Sequence, residues 1–128
     1  MAEPVSTVVS DEWKSLFQSN PKLQAFAVCK DGSIVWQTSN WDLVSEAQNL
    51  ARAPETAAPF VYANKIKYSR TASSQESYIG TSGGNKGHFL MALVQGKTWV
   101  MASAAVDSIP ELAIIDLSRT AVRLIDKV

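Results

Sequence analysis

The chain has 128 residues, a length that suits one domain, and its 12 Lys and Arg balance 12 Asp and Glu. With 46% hydrophobic and 19% charged residues it has the composition of a globular protein, which excludes a disordered tail or a membrane-embedded chain. Zero net charge removes bulk attraction to nucleic acid, so no nucleic-acid partner is expected. The single cysteine, Cys29, has no internal partner for a disulfide. Together with a start, Met1 to Val5, that lacks a targeting pattern, it points to a reducing, cytoplasmic setting.

Residues 1–9 read as a flexible polar lead and 10–128 as the folded domain. Ser10 has the character of a helix N-cap, and Trp13, Leu16 and Phe17 give one apolar stripe on a short helix that Asn20-Pro21 ends. Residues 23–29 and 33–38 form a hairpin around Lys30-Asp31-Gly32, because Asp-Gly tolerates positive φ. Asn40 or Asp42 caps a helix over 43–52, after which Pro54 and Pro59 bracket a turn or a single helical turn. Strands are expected at 60–62 (a short edge), 66–72, 77–81, 88–94 and 98–105, with Ser82 to Gly87 as a loop and Gln95-Gly96-Lys97 as a tight turn. The last two strands are almost unbroken apolar runs, which implies cover on both faces. Ser108-Ile109-Pro110-Glu111 fits a capping box for a final helix, in which Leu112, Ile115, Ala121, Val122, Leu124 and Ile125 supply a broad buried face. This order implies an α+β fold: a central antiparallel sheet with the N- and C-terminal helices packed on one face and shorter helices on the other.

Chemistry-bearing residues are sparse. His88, the one histidine, reads as a strand-end or surface residue, and Cys29 as a small buried hydrophobe. A Cys29/His88 dyad has no local signature, no cluster has metal-ligand spacing, and Glu111, Asp116 and Asp126 do not pair. The loop Ser82 to Gly87 resembles a phosphate cradle but precedes a strand, so it lacks the helix N-terminus such loops need. No catalytic residue, metal or cofactor is therefore assigned, and a binding protein is favoured over an enzyme. Four tryptophans stand out. Trp99 belongs in the core, whereas Trp13 and Trp36 together have the makings of an aromatic shelf of the kind that docks polyproline-II segments.

The whole layout from residue 10 to 128 resembles profilin: an N-terminal helix with its tryptophan, a hairpin ending in Ile34-Val35-Trp36-Gln37-Thr38-Ser39, the strand Ile66-Lys67-Tyr68, then Tyr78-Ile79-Gly80 before a glycine-rich tip, two apolar strands split by Gly96-Lys97, and a Pro-initiated last helix closing with Leu124-Ile125. Thr81-Ser82 stands where profilins commonly carry a basic pair, and Arg119, Thr120 and Arg123 stand where a C-terminal aromatic is usual; the chain is similar to the divergent profilins of Asgard archaea. The resemblance implies a monomeric cytoskeletal protein that binds monomeric actin and regulates filament assembly. Lys67, Arg70, Lys86, Asp116 and Arg119 would be the actin contacts, and Trp13, Phe17 and Trp36 a weakened or non-functional polyproline site. Proline-rich segments and phosphoinositide headgroups are the further partners it suggests. The competing reading is a roadblock- or longin-type dimeric scaffold for a small GTPase, distinguished by fewer strands and an apolar element left for its twin. A thiol enzyme using Cys29 comes third.

Overall fold

The computed structural model describes residues 5–128. The elements in chain order are α1 (Val5–Ser19), β1 (Leu23–Lys30), β2 (Ser33–Gln37), a 3-10 turn (Val44–Glu46), α2 (Ala47–Thr56), β3 (Phe60–Ala63), β4 (Ile66–Ser74), β5 (Ser77–Thr81), β6 (His88–Gln95), β7 (Thr98–Ala104) and α3 (Pro110–Arg123). The strands form one antiparallel seven-stranded sheet in the order β2-β1-β7-β6-β5-β4-β3. One face carries α1 and α3, whose buried Val9, Leu16, Ala113, Leu117, Ala121 and Leu124 pack with Phe26, Val28, Leu90 and Val100 of the sheet. On the other face Ala47, Leu50 and Ala53 of α2 join Cys29, Tyr68, Tyr78, Phe89, Met91, Trp99 and Met101 in a second core. The expected α+β architecture, with the terminal helices side by side and the short helices opposite, is the one found.

Local chemistry sets the hairpins. Asp31 and Gly32 both have positive φ (52° and 80°), the signature of a type I′ turn, and they join β1 to β2. Gly96 (φ 53°) is the first residue of the two-residue turn between β6 and β7, as a II′ turn requires. Asn64 and Lys65 are a second left-handed pair (φ 50° and 67°), joining β3 to β4. Their N–H groups both donate to the Glu46 carboxylate, at 2.6 and 3.0 Å, which ties this turn to the start of α2.

Four local expectations are corrected. The first helix begins at Val5, so Ser10 lies inside it and residues 5–9 are not a loose lead; residues 1–4 of that lead lie outside the described residues. Burial of Val9, four positions before Trp13, extends the apolar stripe backwards and overrides the modest helix propensity of valine. Pro54 lies within α2, which continues to Thr56 and ends at left-handed Ala57 (φ 48°); the Ala58 N–H returns to the Ala53 carbonyl at 3.1 Å. The capping box does not form, because the N-cap of α3 is Ile109 and the Ser108 hydroxyl donates instead to the Ala105 carbonyl at 2.7 Å. Last, Leu112, Ile115, Val122 and Ile125 are exposed, while the buried face of α3 is formed by Ala113, Leu117, Thr120, Ala121 and, just beyond it, Leu124.

Leu117 is fully buried at the centre of the α3 seat. Truncation to alanine is expected to destabilise the fold by about 2–5 kcal/mol, read from urea unfolding, through lost transfer energy and the cavity left behind. Glu46→Ala leaves two turn amides without their acceptor and is expected to cost about 1–3 kcal/mol in the same experiment.

Candidate binding surface

The two apolar stripes of α3 define the site. The inward stripe 113/117/120–121/124 faces the sheet. The outward one, 112/115/119/122, follows the same 3.6-residue period about half a turn round the helix. Leu112, Ile115 and Val122 are 58%, 48% and 67% exposed, and Arg119, also exposed, stands among them. Exposed Val106 and Ile109 extend the apolar surface along the segment that leads into the helix. Single exposed hydrophobics are ordinary; a contiguous helical stripe of them marks an interaction surface. The residue roles were missed in the sequence because both stripes are legible there and nothing local says which of them meets the sheet.

Polar ties join α3 and the segment before it to α1 and the turn that follows α1. The Asn20 side-chain amide donates to the Asp116 carboxylate at 3.1 Å, Lys22 pairs with Asp107 at 3.4 Å, and Glu12 lies 3.8 Å from Arg123. Asp116, nominated as a contact, is thus half-buried and occupied in holding the end of α1 to the middle of α3. Arg119 and Lys86 are exposed, the latter in the loop between β5 and β6, where Ser82 N–H bonds the Gly87 carbonyl at 3.0 Å. Lys67 and Arg70 do not share a face. Lys67 neighbours Tyr68, which points into the α2-side core, so Lys67 faces the α3 side, with its ammonium 4.5 Å from the Phe60 ring centroid. Arg70 pairs with Gly80, whose absent side chain would meet Tyr68 and Tyr78, so Arg70 starts on the α2 side.

Trp13, Phe17 and Trp36 do come together. Trp13 stacks on buried Phe26 (centroids 5.7 Å apart, planes at 15°) and lies 5.5 Å from Phe17, and Phe26 in turn meets Trp36 at 6.1 Å. They wall a pocket of about 420 Å³ whose remaining lining is Gln24, Gln37, Thr38, Ser39 and Asn40. The lining comes from α1, β1, β2 and the segment after β2; α3 contributes none of it.

The thiol chemistry is not assembled. Cys29 is buried in the α2-side core, and that burial pushes its thiol above the ordinary cysteine value. His88 pairs across the sheet with Ala104 of the α3-side core, so it faces away from Cys29. It is buried instead of superficial, with Nδ1 2.8 Å from the Thr81 hydroxyl. Among the described residues no cluster of three or more His, Cys, Asp or Glu is placed to hold a metal ion, and no helix is long and apolar enough to cross a membrane.

A seven-stranded antiparallel sheet with paired terminal helices and an apolar outer helix face defines a small binding module. No family model matches the chain. Over its full length, however, it is 30% identical to Thor profilin of Thorarchaeota archaeon (strain AB_25), and the match spans all of that protein. The chain belongs to the profilin family. Its fold is similar to LokiProfilin1 in complex with rabbit actin (TM-score 0.89, 21% identity, 98% of this chain and 100% of that one) and to LokiProfilin2 in complex with rabbit actin (0.87, 23%, 94% and 97%). The Acanthamoeba castellanii profilin IB fold matches at 0.74 with 15% identity, over 89% of this chain and 94% of that one. Family membership sets aside the roadblock or longin reading.

Because the Cys29 thiol is buried and held protonated, alkylation in the native protein at pH 8 is expected to run about 100-fold or more slower than in denaturant. Comparable rates measured by mass spectrometry would show an accessible thiol.

Proposed function

We propose that this profilin binds monomeric actin one to one, in the cytoplasm, and so regulates filament assembly without catalysing a reaction. The observation that carries the reading is the outward stripe of α3, Leu112, Ile115 and Val122 around Arg119. An apolar centre around an exposed arginine, which can pair bidentately with a carboxylate, suits a protein-binding surface. The LokiProfilin structures solved with rabbit actin support actin as the occupant. Lys67 and Lys86 are proposed as flanking contacts. Asp116 acts indirectly by seating α3, and Arg70 belongs to the opposite face. That division of Lys67 from Arg70 argues against a single phosphoinositide seat built from both.

Polyproline binding is proposed to be weak or absent. The Trp13/Phe17/Trp36 pocket supplies rings from one side only, and Arg119, Thr120 and Arg123 put no ring on α3 to close a groove. Loss of one aromatic wall costs about 1–3 kcal/mol.

Arg119→Glu and Leu112→Asp are each expected to weaken binding to monomeric actin by about 1–3 kcal/mol in a fluorescence titration, with thermal unfolding unchanged. Parent-like binding by both would exclude this face. Titration with long polyproline is expected to give no saturable change at micromolar peptide; a saturable change abolished by Trp36→Ala would show a working groove.

A further inference from the structure

The α2 side of the molecule holds two hollows that have no part in the α3 surface or the aromatic pocket. The smaller, of about 310 Å³, lies between Ile34 of the β1–β2 hairpin and Val44 at the start of the 3-10 turn. The larger, of about 750 Å³, opens between α2, with Arg52 and Glu55, and the tips of the β1–β2 and β6–β7 hairpins, with Asp31 and Lys97. The two tips form one wall, because the Asp31 N–H donates to the Lys97 carbonyl at 3.1 Å. Both hollows are lined by Gly32 and Gln48, where the first hairpin turn meets α2: a Cβ on Gly32 would stand 3.4 Å from the Gln48 side chain. They run together as one groove with a waist at that contact.

Each wall of the larger hollow offers one charge of each sign. Arg52 and Glu55 stand one turn apart on α2, and Asp31 and Lys97 stand on the tips. All four are exposed, and none joins a salt bridge among the described residues, where the ion pairs are Lys22–Asp107 and Glu12–Arg123. An anionic ligand meets two carboxylates there, and a cationic ligand meets two cations. An apolar ligand strips water from four charges and pairs with none. A ligand carrying both signs complements both walls. Trp99, 7% exposed, shows too little of its indole to stack a base or a sugar, and with half-buried Ala51 it supplies an apolar floor. The smaller hollow is apolar in a different way: Val44 is 65% exposed beside half-buried Ile34, and folding gains nothing from a valine left in water. The neighbouring strand β2 is an edge of the sheet, with no strand on its outer side.

We propose that this groove docks an extended peptide segment of a partner protein, with an aliphatic residue in the Ile34–Val44 hollow and acidic and basic residues together in the larger one. The chain of a peptide threads a groove too narrow for a folded surface, and its mixed side chains match the mixed walls. The groove lies against the α2-side core, whereas the outer stripe of α3 and the Trp13–Trp36 pocket belong to the opposite side. A peptide held here leaves both of those surfaces free, so docking is independent of what α3 binds.

The test is an NMR titration of the full chain with the capped peptide Glu-Lys-Gly-Leu-Gly-Lys-Glu, with two further peptides whose four charged residues are all Glu or all Lys. Saturable shifts of the Gly32 and Gly96 amides and the Trp99 indole N–H are expected at up to about 1 mM mixed peptide. The all-Glu and all-Lys peptides are expected to bind about fivefold or more weakly, the worth of the exposed charge pairs they forgo. Val44→Asp is expected to weaken the mixed peptide about tenfold. The double variant Arg52→Glu, Lys97→Glu, which leaves only acidic groups on the walls, is expected to prefer the all-Lys peptide. Circular dichroism melts control for folding of both variants. No saturable shift by about 5 mM mixed peptide, equal binding of the three peptides, or shifts confined to α3 and the Trp13 pocket would each overturn the proposal. Parent-like binding by Val44→Asp would also overturn it, because the apolar hollow would then be unused. Sedimentation of the free chain as a dimer that Val44→Asp converts to monomer would place a second copy in the groove, with the same consequence.

Discussion

The rest of the structure depends on one constraint: β6 and β7 are apolar on both faces. His88–Val94 is buried at all but one position, and so is Thr98–Ala104. Strands of that kind cannot leave either face to water, so the chain must return a helix to each side. The segment after β7 supplies one cover as α3, which lies along β6 with its far end fixed by the Asp126 N–H bonding to the Gln95 side chain at 3.2 Å. The segment after β2 supplies the other as α2. Small residues at the inward positions, Ala113 and Ala121 on α3 and Ala102 and Ala104 on β7, let the helix approach closely, and Leu117 and Leu124 fill the remaining space.

The same arrangement produces the surface proposed to bind actin. Once Ala113, Leu117 and Ala121 are committed to the sheet, helical geometry sends Leu112, Ile115, Arg119 and Val122 outward. Because α1 occupies one flank and the ties at Asn20, Lys22 and Glu12 hold it there, the helix presents these groups from a fixed position, so little ordering cost remains for a partner to overcome. The sheet is wider than its helical cover, and its β3 end stays open beside α3. The aromatic pocket, by contrast, lies between α1 and the segment after β2, apart from the outer face of α3.

Elements whose signal is local were legible in the sequence. Asp31-Gly32 and Gly96-Lys97 announce their turns through backbone freedom alone, and β5 runs from Ser77 to Thr81 as expected from the sequence. What failed required knowledge of neighbours. Ser10 has the chemistry of a cap, but a core waiting for Val9 draws the helix back to Val5. Ser108 sits one residue before the N-cap, Ile109, and its hydroxyl donates to the Ala105 carbonyl. The surroundings of Asp116 and Arg70 also depend on neighbours: Asn20 bonds the first, and pairing with Gly80 sets the side of the second. The outward face of α3 was half legible: Arg119 was read as a surface residue, as it is, but its apolar neighbours were read as core, because a helix with two hydrophobic stripes does not state which one the sheet takes.

The most direct test of the account is hydrogen exchange of the chain alone and with monomeric actin, read by mass spectrometry. Exposure of one α3 stripe and burial of the other predicts that peptides covering residues 106–122 gain protection in the complex while those covering α2, residues 47–56, do not change. Protection confined to the α2 side, with 106–122 unchanged, would contradict it.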